Sequence, residues 1–156
     1  AIDTTAQYYL GRMFENGEGV GINSQRAIRW YLKAADAGNV DAEAALGNLF
    51  AMGGVEQLPK NYKEAVRWFT KAAKNGHAKA AARLGDFYLT GRGGQKDPAL
   101  GIAWLQESLV RGNEQAKIQL ELLKGRLPAS VFEQAKKLQP ELSKLALSKE
   151  GQGHHE

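Results

Sequence analysis

"AIRWYLKAADAG" occupies Ala27–Gly38, and "AVRWFTKAAKNG" occupies Ala65–Gly76. The chain writes nearly the same twelve residues twice, and the landmarks around them recur a third time. A Leu-Gly pair stands at Leu10-Gly11, Leu46-Gly47 and Leu84-Gly85. A tryptophan with a large apolar neighbour stands at Trp30-Tyr31, Trp68-Phe69 and Trp104-Leu105. A glycine closes each cycle at Gly38, Gly76 and Gly112. From each Trp to the next Leu is 16 residues in all three cases, whereas Leu to Trp is 20, 22 and 20. A packed helix–turn–helix contact cannot change length without losing register, but an exposed loop takes insertions at little entropic cost. The rigid piece is therefore the tryptophan helix with the helix after it. The soft pieces are the inner loops "GEGVGIN" (17–23), "GGVEQLPKN" (53–61) and "GRGGQKD" (91–97).

Each half-repeat has helical periodicity. Ala6, Leu10 and Phe14 recur as Ala42, Leu46, Phe50 and as Ala80, Leu84, Tyr88, a spacing of four that puts them on one face. Ala27, Ile28, Tyr31, Ala34 and Ala35 recur as Ala65, Val66, Phe69, Ala72 and Ala73, again one stripe. Asn23 or Ser24, Asn61 and Asp97 suit helix N-caps, with Pro98 at the first helical position. Gly38, Gly76 and Gly112 suit the left-handed residue that ends a helix, and Asn39 and Asn113 then cap the next one. Mid-helix Gly11, Gly47 and Gly85 each cost about 1 kcal/mol against Ala. Their return is close approach of the partner helix. The three tryptophans are expected to be sheltered between neighbouring helices.

The pattern A-x-x-x-L-G-x-x-[FY]-x-x-G, a loop, then A-[IV]-R-W-[YF]-x-K-A-A-x-x-G resembles the Sel-one-like repeat, a relative of the tetratricopeptide repeat. The resemblance spans residues 6–120 in units of 36 to 38 residues. It implies an all-α, right-handed α/α solenoid of three helix-turn-helix repeats with C-terminal capping helices. The division expected is an N-terminal extension at 1–5, repeats at 6–41, 42–79 and 80–115, a partial repeat with capping helices at 116–149, and a disordered polar tail at 150–156. The third unit departs from the pattern, with Gly101 in place of Ala27 and Ala65, and "ESLVRG" (107–112) in place of Lys-Ala-Ala-x-x-Gly. A terminal repeat is expected to deviate. "AKIQLE" from Ala116 begins a fourth first-type helix, with Glu121 where glycine stood. Beyond it, Ser130 and Glu133 have capping-box spacing, and Val131, Ala135 and Leu138 form a stripe that Leu142 and Leu145 continue. Pro140 is expected to break or kink this segment, giving a helix near 131–138 and a second from about 140.

The 156 residues fit about one domain. Lysine and arginine total 21 against 17 acidic residues, a net charge of +4. Most of the excess lies in 42–79, with 6 basic and 3 acidic residues. That is weaker than a clustered nucleic-acid footprint, and no nucleic-acid partner is expected. The absence of cysteine removes disulfides, thiolate catalysis and cysteine metal sites. No apolar run approaches the roughly 18 residues of a membrane helix, so the chain does not span a membrane. Ala1 opens the chain in place of Met and no signal-peptide core follows, so the sequence is read as trimmed. Compartment and oligomeric state stay open. The resemblance implies a bacterial module, periplasmic or exported, or cytoplasmic.

Chemistry-bearing patterns are sparse. His77 follows a helix-closing glycine and reads as a cap or surface group. His154 and His155 lie in the tail, and no metal or cofactor is expected. Ser-x-x-Lys, Gly-x-Ser-x-Gly and Walker spacing are all absent. Lys63, Arg67, Lys71 and Lys74 fall at helical spacing and read as a solvated face. The resemblance thus implies a non-enzymatic scaffold or adaptor that binds a protein or peptide partner in a concave groove. Related bacterial modules serve in envelope assembly, signalling or host contact. The competing readings are a hydrolase on cell-wall or β-lactam substrates and an accessory factor in envelope polysaccharide assembly.

The groove positions of the tetratricopeptide relatives, carried across on the Leu-Gly anchor, give candidate partner-binding residues. They are Tyr8, Arg12, Glu15 and Asn16 in the first unit. The second unit contributes Ala44, Asn48, Ala51 and Met52, and the third Lys79, Ala82, Asp86, Leu89 and Thr90. Asn48 both donates and accepts hydrogen bonds, Arg12 takes a carboxylate, Ala44 and Ala51 leave room for a backbone, and Met52 adapts to an apolar side chain.

Overall fold

The computed structural model describes residues 3–54 and 58–150, with side chains to residue 144. Part of the second inner loop, 55–57, lies outside the described residues, as does most of the tail with His154 and His155. Among the described residues there are eight α-helices and no strand. They are α1 (Thr4–Asn16), α2 (Ser24–Asp36), α3 (Val40–Met52), α4 (Tyr62–Lys74), α5 (Ala78–Thr90), α6 (Pro98–Val110), α7 (Gln115–Lys124) and α8 (Ala129–Glu150). Helix contacts divide the chain into two compact units that meet within α4, between Trp68 and Phe69.

The helix ends account for the spacing rule. After α2, α4 and α6 the same turn is made three times. Gly38, Gly76 and Gly112 have φ of 94°, 92° and 102°. Their amides reach Ala35 O, Ala73 O and Leu109 O, and the next residue reaches Ala34 O, Ala72 O and Ser108 O, all at 2.9–3.0 Å. A closed turn of fixed length gives the constant 16. The inner loops are tied at the base instead. The amides of Asn23, Asn61 and Asp97 donate to the carbonyls of Phe14, Phe50 and Tyr88 at 2.8, 2.8 and 2.9 Å. The two extra residues of the second loop therefore lie between its tied ends and leave the helices in register. The same three residues cap the following helices, accepting from Arg26 N (3.0 Å), Glu64 N (3.2 Å) and Leu100 N (3.1 Å).

In the first unit, Ala27, Tyr31, Ala34, Ala42, Leu46, Leu49 and Trp68 form the core. Gly11 makes room for Tyr31: a Cβ there would stand 2.6 Å from the tyrosine ring. The Tyr31 hydroxyl donates to the Glu15 carboxylate. Burial and the nearby Glu15 push the phenol far above its ordinary range. Trp68 is 5% exposed, whereas Trp30 is only half-buried with Lys33 Nζ 4.8 Å above its ring. Trp68 lies against the preceding tryptophan helix. Among the described residues no helix precedes α1 to do this for Trp30.

In the second unit, α5 and α6 meet backbone to backbone. A Cβ on Gly85 would stand 2.8 Å from Gly101 O, and one on Gly101 would stand 2.8 Å from Gly85 O. Glycine at 101, a departure from the repeat, is thus demanded by the contact. Glu107 and Ser108, 1% and 0% exposed, carry the rest of that departure. Ser108 Oγ donates to Ala78 O at 2.6 Å and ties α6 to the start of α5. Glu107 accepts from Arg111 Nε (3.0 Å) at the C-cap of its own helix, and from Gln139 Nε2 (3.0 Å) and Ser143 Oγ (2.6 Å) on α8. The first two repeats place the exposed Lys33 and Lys71 in this slot.

Three local expectations are corrected. First, α8 runs unbroken through Pro140. Lys136 and Pro140 are both exposed, so the carbonyl that loses its bond lies on the solvent side of the helix. Ala135 and Leu142 are buried on either side of the proline, and Gln139 and Ser143 hold both flanks to Glu107. Second, α8 begins at Ala129, so Ser130 lies inside its first turn and not at a cap. Third, Asn113 does not cap α7, which starts at Gln115. Its amide is drawn to Ser108 Oγ at 2.9 Å.

Candidate functional site

The candidate residues of the first two units all lie on α1 and α3, but their environments differ. On α1, the Arg12 guanidinium lies 6.0 Å from the Tyr8 ring and 5.7 Å from the Tyr9 ring. Tyr9 is 52% exposed, so this end of α1 presents an aromatic and cationic surface. Glu15 is committed to Tyr31, and Asn16 is exposed. On α3, Met52 is 61% exposed, Asn48 and Ala51 are half-buried, and Ala44 is buried.

The third unit builds more. Lys79, Ala82, Asp86, Leu89 and Thr90 all lie on α5, and all five line a cleft closed on its other side by α7. The cleft consists of two cavities that share Arg83, Asp86 and Gln119. One, of about 610 Å³, takes in Lys79, Ala82 and Ile118. The other, of about 430 Å³, takes in Phe87, Leu89, Thr90, Arg92, Leu122 and Arg126. Both volumes suit a peptide side chain or a small ligand. Helix α7 brings Gln115, Ile118 and Leu122, and the turn after it brings Arg126; these are the fourth-unit equivalents of Lys79, Ala82, Asp86 and Thr90 when Leu120 is aligned with Leu84. The sequence reading stopped at the third unit and missed them. The constant step of 16 from Trp104 to Leu120 was the signal that locates them.

Asp86 lies at the middle of the cleft. Partial burial lifts its carboxyl above the ordinary range, opposed by Arg83, a hydrogen bond with Gln119, and Arg92. A carboxyl raised in the folded state favours folding only while protonated. That contribution is lost as pH rises through the raised value, so ionised Asp86 costs stability at neutral pH. Asp86→Asn is expected to raise the urea midpoint at neutral pH. The gain should vanish below about pH 4, where the carboxyl is also protonated in the unfolded chain. Urea unfolding at both pH values checks this. A loss at neutral pH would mean that the arginines outweigh burial.

Among the described residues no group of three or more His, Asp or Glu side chains is placed to hold a metal ion. No helix among the described residues is long and apolar enough to cross a membrane. His77 caps α5, its Nδ1 accepting from Ala80 N at 3.0 Å.

Repeated helix pairs joined by identical glycine turns define an all-α solenoid of helix-turn-helix repeats. The Sel1 repeat model matches three times, at residues 4–39, 40–77 and 78–109, and the chain belongs to the Sel1 repeat family. It is similar to a Sel1 repeat protein from Oxalobacter formigenes, with 34% identity and a TM-score of 0.71 over 77% of this chain and 49% of that one. It also shares its fold with c5321, a protective antigen present in uropathogenic Escherichia coli strains. That match has 23% identity and a TM-score of 0.55, covering 95% of this chain and 40% of that one. A third match is Helicobacter pylori cysteine rich protein B, with 21% identity, a TM-score of 0.58, and coverage of 72% and 90%. The chain thus spans about half the length of the first of these structures and less of the second. The Helicobacter protein is named for its cysteines. The present chain has none, so its helix pairs hold by packing and turns without disulfides. No curated protein sequence matches the chain. Sel1 repeats commonly mediate protein–protein contacts, and the fold is typically a non-catalytic scaffold.

Proposed function

We propose that this chain is a non-enzymatic interaction scaffold that receives a peptide or protein partner on the faces of the first helices of its repeats. The observation that carries the reading is the α5–α7 cleft. Every candidate of the third unit lines it, and Ile118 and Leu122 stand 65% and 59% exposed on its α7 side. Large apolar side chains gathered at a concave surface favour a partner that removes them from water. Arg12 and Asn48 extend the same proposal to α1 and α3, with Tyr8, Ala51 and Met52 beside them in the repeat register.

The test is affinity capture from the native cell with three baits. They are the wild type, the pair Ile118→Ser with Leu122→Ser, and the pair Arg12→Ala with Asn48→Ala. A partner retained by the wild type should be weakened about tenfold by each pair, roughly 1.4 kcal/mol, with the circular dichroism spectra unchanged. Equal retention by all three rejects the reading. Turnover of a β-lactam or a cell-wall fragment by the purified chain would replace it with the hydrolase reading.

A further inference from the structure

The charge around the α5–α7 cleft is lopsided. Lys79, Arg83, Arg92 and Arg126 line it, and Asp86 is the one carboxylate among the lining residues. Other exposed charges of this unit pair along their own helices: Lys124 with Glu121 at 3.1 Å, Lys136 with Glu133 at 3.6 Å, and Lys144 with Glu141 at 3.8 Å. No salt bridge reaches Lys79, Arg83, Arg92 or Arg126 among the described residues, and all four are exposed. Asp86 faces Arg83 and Arg92 and offsets only part of this charge, and four cations gathered around one carboxylate repel one another and attract an anionic partner. Between them lie the exposed Ile118 and Leu122, with Phe87, Leu89 and Leu123 alongside. The α7 wall lies beyond residue 109, where the family match ends, so this chemistry belongs to the chain's own continuation of the repeat.

We propose that the α5–α7 cleft binds a short acidic segment of a partner protein, its carboxylates on Arg83, Arg92 and Arg126 and an apolar side chain against Leu122. The proposal rests on the interaction reading above and adds the chemistry of the partner. Arginine forks pair carboxylates in a bidentate manner, which gives orientation as well as attraction. Asp86 shapes the selection. It repels an acid placed at the middle of the cleft, so the partner's carboxylates straddle it. One lies toward Lys79 and Arg83, the others toward Arg92 and Arg126. A main-chain amide of the partner meets the Asp86 oxygens between them. A neutral apolar peptide would leave the cations unmatched, and a basic one would add to them.

A random twelve-residue peptide library displayed on phage is selected on the immobilised full chain and counter-selected on the double variant Arg83→Glu with Arg126→Glu. The enriched peptides are expected to carry an excess of Asp and Glu around an apolar residue. Their retention should fall about tenfold on the variant and again as salt rises from ~0.1 to ~0.5 M. Thermal melts confirm the fold of the variant, and Arg83→Gln with Arg126→Gln serves if charge reversal disturbs it. Enrichment of neutral or basic peptides that still depend on Leu122 would overturn the acidic partner and leave the interaction reading standing. Acidic peptides retained equally by the variant would overturn the cleft. Enrichment of nothing would overturn both. A single-stranded oligonucleotide or anionic vesicle held by these arginines, with no acidic peptide selected, would assign the cleft to phosphate and also overturn the proposal.

Discussion

Trp68→Ala is expected to lower the unfolding free energy by roughly 3–5 kcal/mol. The indole is 5% exposed and lies in one cluster with Ala27, Tyr31, Ala34, Leu46 and Leu49. Alanines at 27 and 34 leave no side chain long enough to collapse into the vacated space, so most of the cavity would persist. Trp30→Ala is the internal control. It occupies the same slot one repeat earlier but is only half-buried, with Lys33 over its ring. Its effect is expected to be less than half as large. Thermal and urea unfolding followed by circular dichroism compare the two. Equal losses would mean that the preceding tryptophan helix is not what shelters Trp68.

Glu107→Ala is expected to cost roughly 2–4 kcal/mol, because it strips a buried acceptor from three donors at once. Arg111 can turn to water, its side chain being 17% exposed. Gln139 and Ser143 hydrogen-bond to each other at 3.1 Å but lose their link to α6. The helix most affected is α8, which packs on α6. Limited proteolysis should therefore cut in 127–144 faster than in wild type, before the α5–α6 pair is attacked. Glu107→Lys, which copies Lys33 and Lys71 of the first two repeats, should be worse. It puts a cation beside Arg111 and offers no acceptor to α8. Unchanged protection of α8 in both variants would refute the clasp.

These effects mark where sequence reading succeeds and where it stops. The helix pairs were legible because their constraints are local and repeat. A left-handed glycine, a cap three residues before its amide, and a fixed step of 16 residues each act within one or two turns. Pro140 misled because the rule against proline in helices is also local. What keeps α8 whole is a contact with Glu107, 32 residues away from Gln139. Glu107 stood out only as a departure from the lysine of the earlier repeats, since burial cannot be read from residue type. Asn113 shows the same competition, as a free-standing cap residue drawn off by Ser108. On the candidate face, the α5 residues followed from the repeat register. The α7 wall was missed because the groove positions were carried across only on the Leu-Gly pair, which the fourth first-type helix at Ala116 lacks, although Ala116 and Leu120 keep its register.

The tied bases of the inner loops bear on how such chains lengthen and change. One amide-to-carbonyl bond at each neck ties the loop to the framework; in the second loop Leu58 also packs on the core, whereas residues spliced in where the third loop meets open space leave the helices below undisturbed. A protein with that construction has ready-made ports for foreign sequence. A reporter, an epitope or a reactive handle placed at Gly94, whose Cβ position meets open space, would ride on the repeat without entering its mechanics.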